Sequence, residues 1–248
     1  MNKRNRSIFV SVIAIIALAC ACPGTALPGT NQPPATFAPI STIPPIVPTE
    51  EVAPPPSADA LLADDFSVDT GEWETFSDDA EGSTEIASGV YAITTLANLW
   101  IWGRSDTEFT DTVAEFDVTL ISGPSNNFAG VGLYCRLTLR EDTSADAYLL
   151  AIGADGYYAI LEFTAGAPTP LVDWAFSDVI NQGTSTNNIR ATCDGNQLIL
   201  EVNGEILAST SISAGGATSG YLAFATVSFE DADPVAVAHF DNLVVTAP

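Results

Sequence analysis

Basic charge is what this sequence has least of. Seven lysines and arginines stand against 31 aspartates and glutamates in 248 residues, for a formal net charge of −24. Lys3, Arg4 and Arg6 fall within the first six residues, and all 31 acids lie beyond residue 49. Only Arg104, Arg136, Arg140 and Arg190 accompany those acids. Such a polyanion is repelled by phosphate backbones, which excludes nucleic acid as a partner, and it does not adsorb directly to anionic lipid. Histidine is almost missing as well. His239 is alone, no G-x-S-x-G elbow exists for it to serve, and it reads as structural. Gly130-Val131-Gly132 lacks the third glycine of a dinucleotide fingerprint. One histidine and four cysteines leave no zinc-ligand pattern. Helical periodicity is absent from every stretch longer than about ten residues.

What is present begins with a basic start, Lys3-Arg4-Asn5-Arg6, followed by an apolar run from Ile8 to Ala19. That run is too short to cross a ~30 Å hydrocarbon core as a helix and fits a secretory signal. Ala17-Leu18-Ala19-Cys20 resembles the bacterial lipoprotein signal, which implies that Cys20 is lipidated after removal of residues 1–19. Cys22 is the competing position. The expected address is the cell surface, with a lipid anchor as the sole link to the membrane. Residues 20–58 follow as a proline-rich disordered linker, with 11 of the chain's 16 prolines between Pro23 and Ser57. Proline fixes φ and removes a donor, so polyproline II at ~3.1 Å per residue would carry the next domain on the order of 100 Å outward. The intervening threonines and serines leave open a glycosylated stalk or a plain spacer.

Residues 59–248 form the expected domain. Val113 to Leu120 alternates apolar and polar, as does Gln197 to Val202, the pattern of half-buried strands. Asn203-Gly204, Asp155-Gly156 and Asp194-Gly195 mark tight turns between such runs. The spacing predicts about 12 to 13 strands, with one helical turn near Ser177 to Asn181. The fold class is all-β, a two-sheet antiparallel jelly-roll sandwich. Strand parity places Val131, Leu133, Cys135 and Leu137 on one face of a strand, and Tyr134 and Arg136 on the other. Ile189, Ala191 and Cys193 likewise share an apolar face. Cys135 and Cys193 therefore point to the core, as a disulfide worth roughly 3 to 4 kcal/mol or as two buried thiols.

An ordered set of segments carries a family resemblance. It runs from Trp100-Ile101-Trp102 and Gly123 to Phe128 through Gly132 to Arg136, Asp155 to Tyr158 and Leu171 to Trp174. It closes with Arg190 to Cys193, Val202 to Gly204 and Phe240-Asp241-Asn242. The set resembles the concanavalin A-like lectin/glucanase jelly-roll modules, laminin-G-like domains included, found on bacterial surface lipoproteins. The resemblance implies a fold and a bias toward glycans. Glucanases of that superfamily carry an ExDxxE triplet, and here Glu115-Phe116-Asp117-Val118-Thr119-Leu120 ends in leucine where the acid/base belongs.

No catalytic residue is assigned. The expected function is non-catalytic binding of a glycan or another extracellular ligand, such as a protein. The alternative is a degenerate carbohydrate-active hydrolase using Glu115, Asp117 and Glu162. Trp100, Trp102, Arg104, Tyr134 and Arg136 are the candidate ligand-binding residues, since flat rings stack on sugars and guanidinium groups fix hydroxyls. Core filling is the competing role for Trp100 and Trp102, and more so for Trp73 and Trp174. No cofactor is required. Structural calcium is the one metal considered, with Asp65 and Asp241 as ligands if first and last strands lie side by side, and Glu230 to Asp233 as a second acidic loop.

Overall fold

The computed structural model describes residues 59–141, 144–212, 215–232 and 234–248. The signal segment 1–19, Cys20, Cys22, the linker 20–58 and Asp233 lie outside the described residues. Within them the chain makes fifteen strands and no helix. The first eight are β1 (Ala60–Asp64), β2 (Phe76–Asp78), β3 (Gly82–Ala87), β4 (Val90–Thr95), β5 (Ile101–Phe109), β6 (Thr112–Ser122), β7 (Ala129–Leu139) and β8 (Ala145–Gly153). Then come β9 (Tyr157–Thr164), β10 (Ala167–Phe176), β11 (Thr186–Asp194), β12 (Gln197–Val202), β13 (Glu205–Ser211), β14 (Gly220–Ser228) and β15 (Ala236–Thr246).

Two antiparallel sheets form the sandwich. The larger has nine strands in the order β13-β12-β11-β6-β15-β4-β3-β2, with β1 also paired to β15. The smaller runs β10-β9-β8-β7-β14-β5. All three tight turns close hairpins where the sequence puts them. Asn203 and Gly204 sit at φ 51° and 84°, as a type I′ turn between β12 and β13 requires. The fifteen strands exceed the 12 or 13 expected because pieces such as three-residue β2 are too short to show alternation. The helical turn expected near Ser177 to Asn181 is an irregular turn instead. Its amides bond other segments, Ser177 N–H to the Gly156 carbonyl and Asn181 N–H to Asn187 Oδ1, both within 2.9 Å.

The inward faces of both sheets meet in one apolar core centred on aromatic rings. Phe224 of β14 packs against Phe66, Trp73, Tyr91, Phe116 and Phe240 at centroid distances of 4.5 to 6.1 Å. Trp73 is accordingly a core residue, 3% exposed. Cys135 of β7 and Cys193 of β11 are joined by a disulfide that ties the two sheets together, with a Cα–Cα distance of 6.8 Å.

One irregularity decides where side chains point. The register of β7 against β8 shifts by one residue between Cys135 and Thr138, and Arg136 sits at φ 55°. This is a β-bulge, which spends an extra residue and reverses the alternation beyond it. Leu137 consequently leaves the face of Val131, Leu133 and Cys135 and joins Tyr134 on the outer face. Parity read straight through the strand is corrected here. Gly220 seats the bulge: a Cβ there would lie 2.5 Å from the Arg136 carbonyl carbon and 2.6 Å from the Leu137 oxygen. Both obstacles are backbone, and its φ of 153° is unfavourable for any other residue. Gly220→Ala is expected to lose about 1–3 kcal/mol, read as a shift of the urea midpoint at constant slope. An unmoved midpoint would mean that the bulge does not pack as described.

Candidate functional site: an aromatic pocket at one end of the six-stranded sheet

Both faces of the six-stranded sheet are apolar. Beyond the shared core, its outer face carries a second layer in which Tyr134, Leu149, Leu161, Phe163, Ala223 and Ala225 are buried beneath half-buried Trp100, Trp102, Trp174 and Tyr221. Trp100 adjoins β5 and Trp174 belongs to β10, the two edges of the sheet. In a flat sheet five spacings of ~4.8 Å would hold those edges about 24 Å apart. Yet both indoles pack edge-on against the same ring, Phe229, at 5.8 and 5.7 Å. The sheet therefore curls over its outer face.

Where those rings meet, a cavity of about 410 Å³ opens to solvent, lined by Phe128, Asp155, Tyr157, Trp174 and Phe229. Four separate segments build it, and backbone bonds lock them together. Phe229 N–H donates to the Phe128 carbonyl at 2.9 Å, and Ala154 N–H to the Ala129 carbonyl at 2.8 Å. Asn126 Nδ2 donates to Glu230 Oε2 at 3.0 Å, joining the loops that carry Phe128 and Phe229. Gly183 N–H reaches the Ala154 carbonyl at 2.8 Å, so the segment after β10 braces the β8–β9 turn that presents Asp155 and Tyr157. Buried Asn187 anchors that segment in turn through Asn181 and Asn203. Gly130 leaves room for the rings, since a Cβ there would lie 3.1 Å from both Phe229 and Trp100.

The residues singled out from sequence divide among several places. Trp100 and Trp102 lie on the outer face and not in the inter-sheet core. Trp100 supports the pocket from behind Phe229, and Arg104 stacks over Tyr221 at 4.2 Å further along the same face. Tyr134 is on the outer face but 3% exposed, and burial drives its hydroxyl pKa far up. Arg136 is turned inward by the bulge and is 2% exposed. Its guanidinium donates to the Thr110 and Ala217 carbonyls at 3.2 Å and to Asp111 at 3.0 Å, so it staples loops and faces no groove. The placement of Arg136 as a ligand-face residue is corrected on that ground.

The carboxylates considered for catalysis do not share a cleft. Glu115 and Asp117 lie on β6 of the nine-stranded sheet, opposite Arg190 and Asn188 of β11. Glu162 is on the inward side of β9, near Tyr148, whose pKa is raised by that tyrosine's own burial and then by the Glu162 charge. Strands β1 and β15 do pair, which brings Asp65 near Asp241. Burial raises the pKa of Asp241, with repulsion from Asp117 and Asp65 adding to it. Asp117 is itself held by the amides of Asn188 and Asn242 at 3.0 Å each. No group of three or more His, Cys, Asp or Glu placed to hold an ion exists among the described residues. Half-buried His239 has its pKa lowered by desolvation, against a smaller opposing effect of the Glu85 charge.

Phe128, Asp155, Tyr157, Trp174 and Phe229 were not singled out as a site from the sequence. Asp155 to Tyr157, Phe128 and Trp174 fall inside the segments that carry the family resemblance, but nothing in one dimension joins them.

No protein-family model matches this chain, nor does any curated protein. Solved structures do resemble it. The carbohydrate-binding module CBM66 from Bacillus subtilis superposes with a TM-score of 0.54 at 16% identity, covering 71% of this chain and 96% of that one. The β-glucanase of Bacillus licheniformis gives 0.53 at 11% identity, with 75% and 98% covered. Alginate lyase A1-II′, of polysaccharide lyase family 7, gives 0.52 at 12% identity, with 75% and 99% covered. At such identities the likeness establishes the fold alone, a two-sheet antiparallel jelly-roll sandwich of the kind those proteins share.

Proposed function

We propose that the domain binds carbohydrate in the pocket formed by Phe128, Asp155, Tyr157, Trp174 and Phe229. The observation that carries this reading is the pocket's composition: four aromatic rings and one carboxylate around an open space of about 410 Å³. Sugar rings present flat C–H faces that stack on aromatics, while a few polar groups fix orientation, and small-ligand pockets commonly span ~300–1,000 Å³. The structural neighbours, a carbohydrate-binding module, a glucanase and an alginate lyase, support the same class of ligand.

The test is a glycan array probed with the purified full chain. Trp174→Ala is expected to weaken binding at least tenfold, about 1.4 kcal/mol, while leaving the circular dichroism unchanged. A wild-type protein that binds nothing on a broad array would overturn the reading.

The same proposal places this binding outside the cell, on a lipid-anchored stalk. It rests on the signal-like start, Cys20 and the proline-rich residues up to 58. Several acyl chains, at ~0.8 kcal/mol per buried CH₂, would hold the protein firmly where one would not. Cys20→Ser is expected to release the protein to the medium or leave it unprocessed. Processed protein that still fractionates with membranes would shift the assignment to Cys22 or end it.

A further inference from the structure

The pocket's charge is one-sided. Asp155 is the one carboxylate among its lining residues, and no lysine or arginine lines it. Beyond residue 6 the sequence has four cations, all arginines. Arg104, Arg136 and Arg140 are paired with Glu74, Asp111 and Asp146. Arg190 lies on β11 of the other sheet, across from Glu115 and Glu201. Glu230, next to Phe229 in sequence, carries a further negative charge and is tied to the loop of Phe128 through Asn126. Around the site stands a chain with 31 acids, whose summed field concentrates cations at clefts.

Aromatic faces also attract cations. The ring quadrupole presents negative charge to a group held above it, the recognition mode of aromatic cages for ammonium groups. Phe128, Tyr157, Trp174 and Phe229 come from four different segments and bound one space with a carboxylate in its wall.

We propose that this pocket selects saccharides carrying a protonated amine, such as glucosamine units, over their N-acetylated and uncharged counterparts, and rejects uronates. The inference rests on the glycan-binding reading and sharpens it. A neutral sugar gains stacking and at most a hydroxyl hydrogen bond to Asp155, without charge attraction. A uronate meets Asp155 with no cation to offset the repulsion. An amino sugar gains stacking, ring attraction and the Asp155 carboxylate together.

The experiment is calorimetric titration of the full chain at about pH 5.5, where amino sugars are protonated and carboxylates are ionised. The ligands are the tetramers of glucosamine, N-acetylglucosamine, glucose and a uronic acid. The glucosamine tetramer is expected to bind at least tenfold tighter than its N-acetylated form, with no detectable binding of the uronate. A polyanion also draws polycations without any site, so two variants separate the effects. Asp155→Asn removes a single charge among 31 acids and should bring the ratio of the two hexosamine tetramers to within about twofold. Trp174→Ala should remove the preference as well.

A wild-type ratio near one, tighter uronate binding, or a preference surviving in Asp155→Asn would each overturn the amine inference while leaving glycan binding in place. Absence of binding to every tetramer would overturn both readings together.

Discussion

Phe224→Ala is expected to cost about 3–5 kcal/mol, the range for truncating a buried phenylalanine. Phe224, on the six-stranded sheet, is fully buried and touches five other rings drawn from the nine-stranded sheet and from the β1–β2 connection. Its stacked contacts with Phe240 at 4.5 Å and Trp73 at 4.9 Å lie within the spacing at which aromatic pairs add ~0.5–1.5 kcal/mol beyond burial. The void would be hard to collapse, because the surrounding rings are held by paired strands. Against a total stability of ~5–15 kcal/mol, the variant would stand near the edge of folding. Urea unfolding monitored by tryptophan fluorescence checks it. Phe224→Leu, which keeps most of the volume, serves if the alanine variant does not accumulate. Ile206→Ala is the control: Ile206 is 65% exposed on β13 and should shift stability by no more than ~0.5 kcal/mol. Equal losses at the two positions would contradict this account of the core.

The nine-stranded sheet was the legible half of this fold. Strands such as β6 and β12 have one face in the core and one in water, so Phe116, Val118 and Leu120, or Leu198, Leu200 and Val202, announce their side by alternation. The turns Asn203-Gly204 and Asp194-Gly195 then fix the hairpins. The six-stranded sheet obscures its own orientation, because both its faces are apolar. Along β7 and β8 the core face and the outer layer are equally hydrophobic, so Tyr134, Leu149 and Ala151 look no different from Leu133 and Leu150. Alternation then says that two faces exist without saying which one is the interior.

That ambiguity is why sequence left both the core and a binding face open to Trp100 and Trp102. The bulge at Arg136 added a second difficulty, since one inserted residue swaps Arg136 and Leu137 without leaving a mark in composition. The pocket was illegible for a third reason. Phe128, Tyr157, Trp174 and Phe229 lie up to about a hundred positions apart and converge because β10, β9, β8, β7 and β14 are neighbours in one sheet. Strand order of that kind has no local signature. The cysteines escaped these problems because Cys135 precedes the bulge, and its parity with Leu133 and Val131 still held.

Removing the Cys135–Cys193 bridge is expected to lower stability by roughly 3–4 kcal/mol, the chain-entropy value for a closed loop of this size. The bond spans 58 positions and connects the two sheets, so its loss frees the unfolded chain far more than it alters native contacts. For a domain of this length that loss corresponds to a melting-temperature drop on the order of 10 °C. Both sulfurs lie in the core, with Cys135 and Cys193 each 1% exposed, so alanine at either site also leaves a small void. Void and bridge are separated by additivity. If the bridge dominates, Cys135→Ala and Cys193→Ala each forfeit nearly the whole effect, and the double variant loses little more than either. Two independent buried thiols would instead give two smaller losses that sum. Peptide mapping without reductant should recover Cys135 and Cys193 in one linked species. Aromatic circular dichroism of the double variant should match wild type below its transition, because the rings around Phe224 do not depend on the bond. A double-variant loss equal to the sum of the singles would show that the linkage does not stabilise the fold.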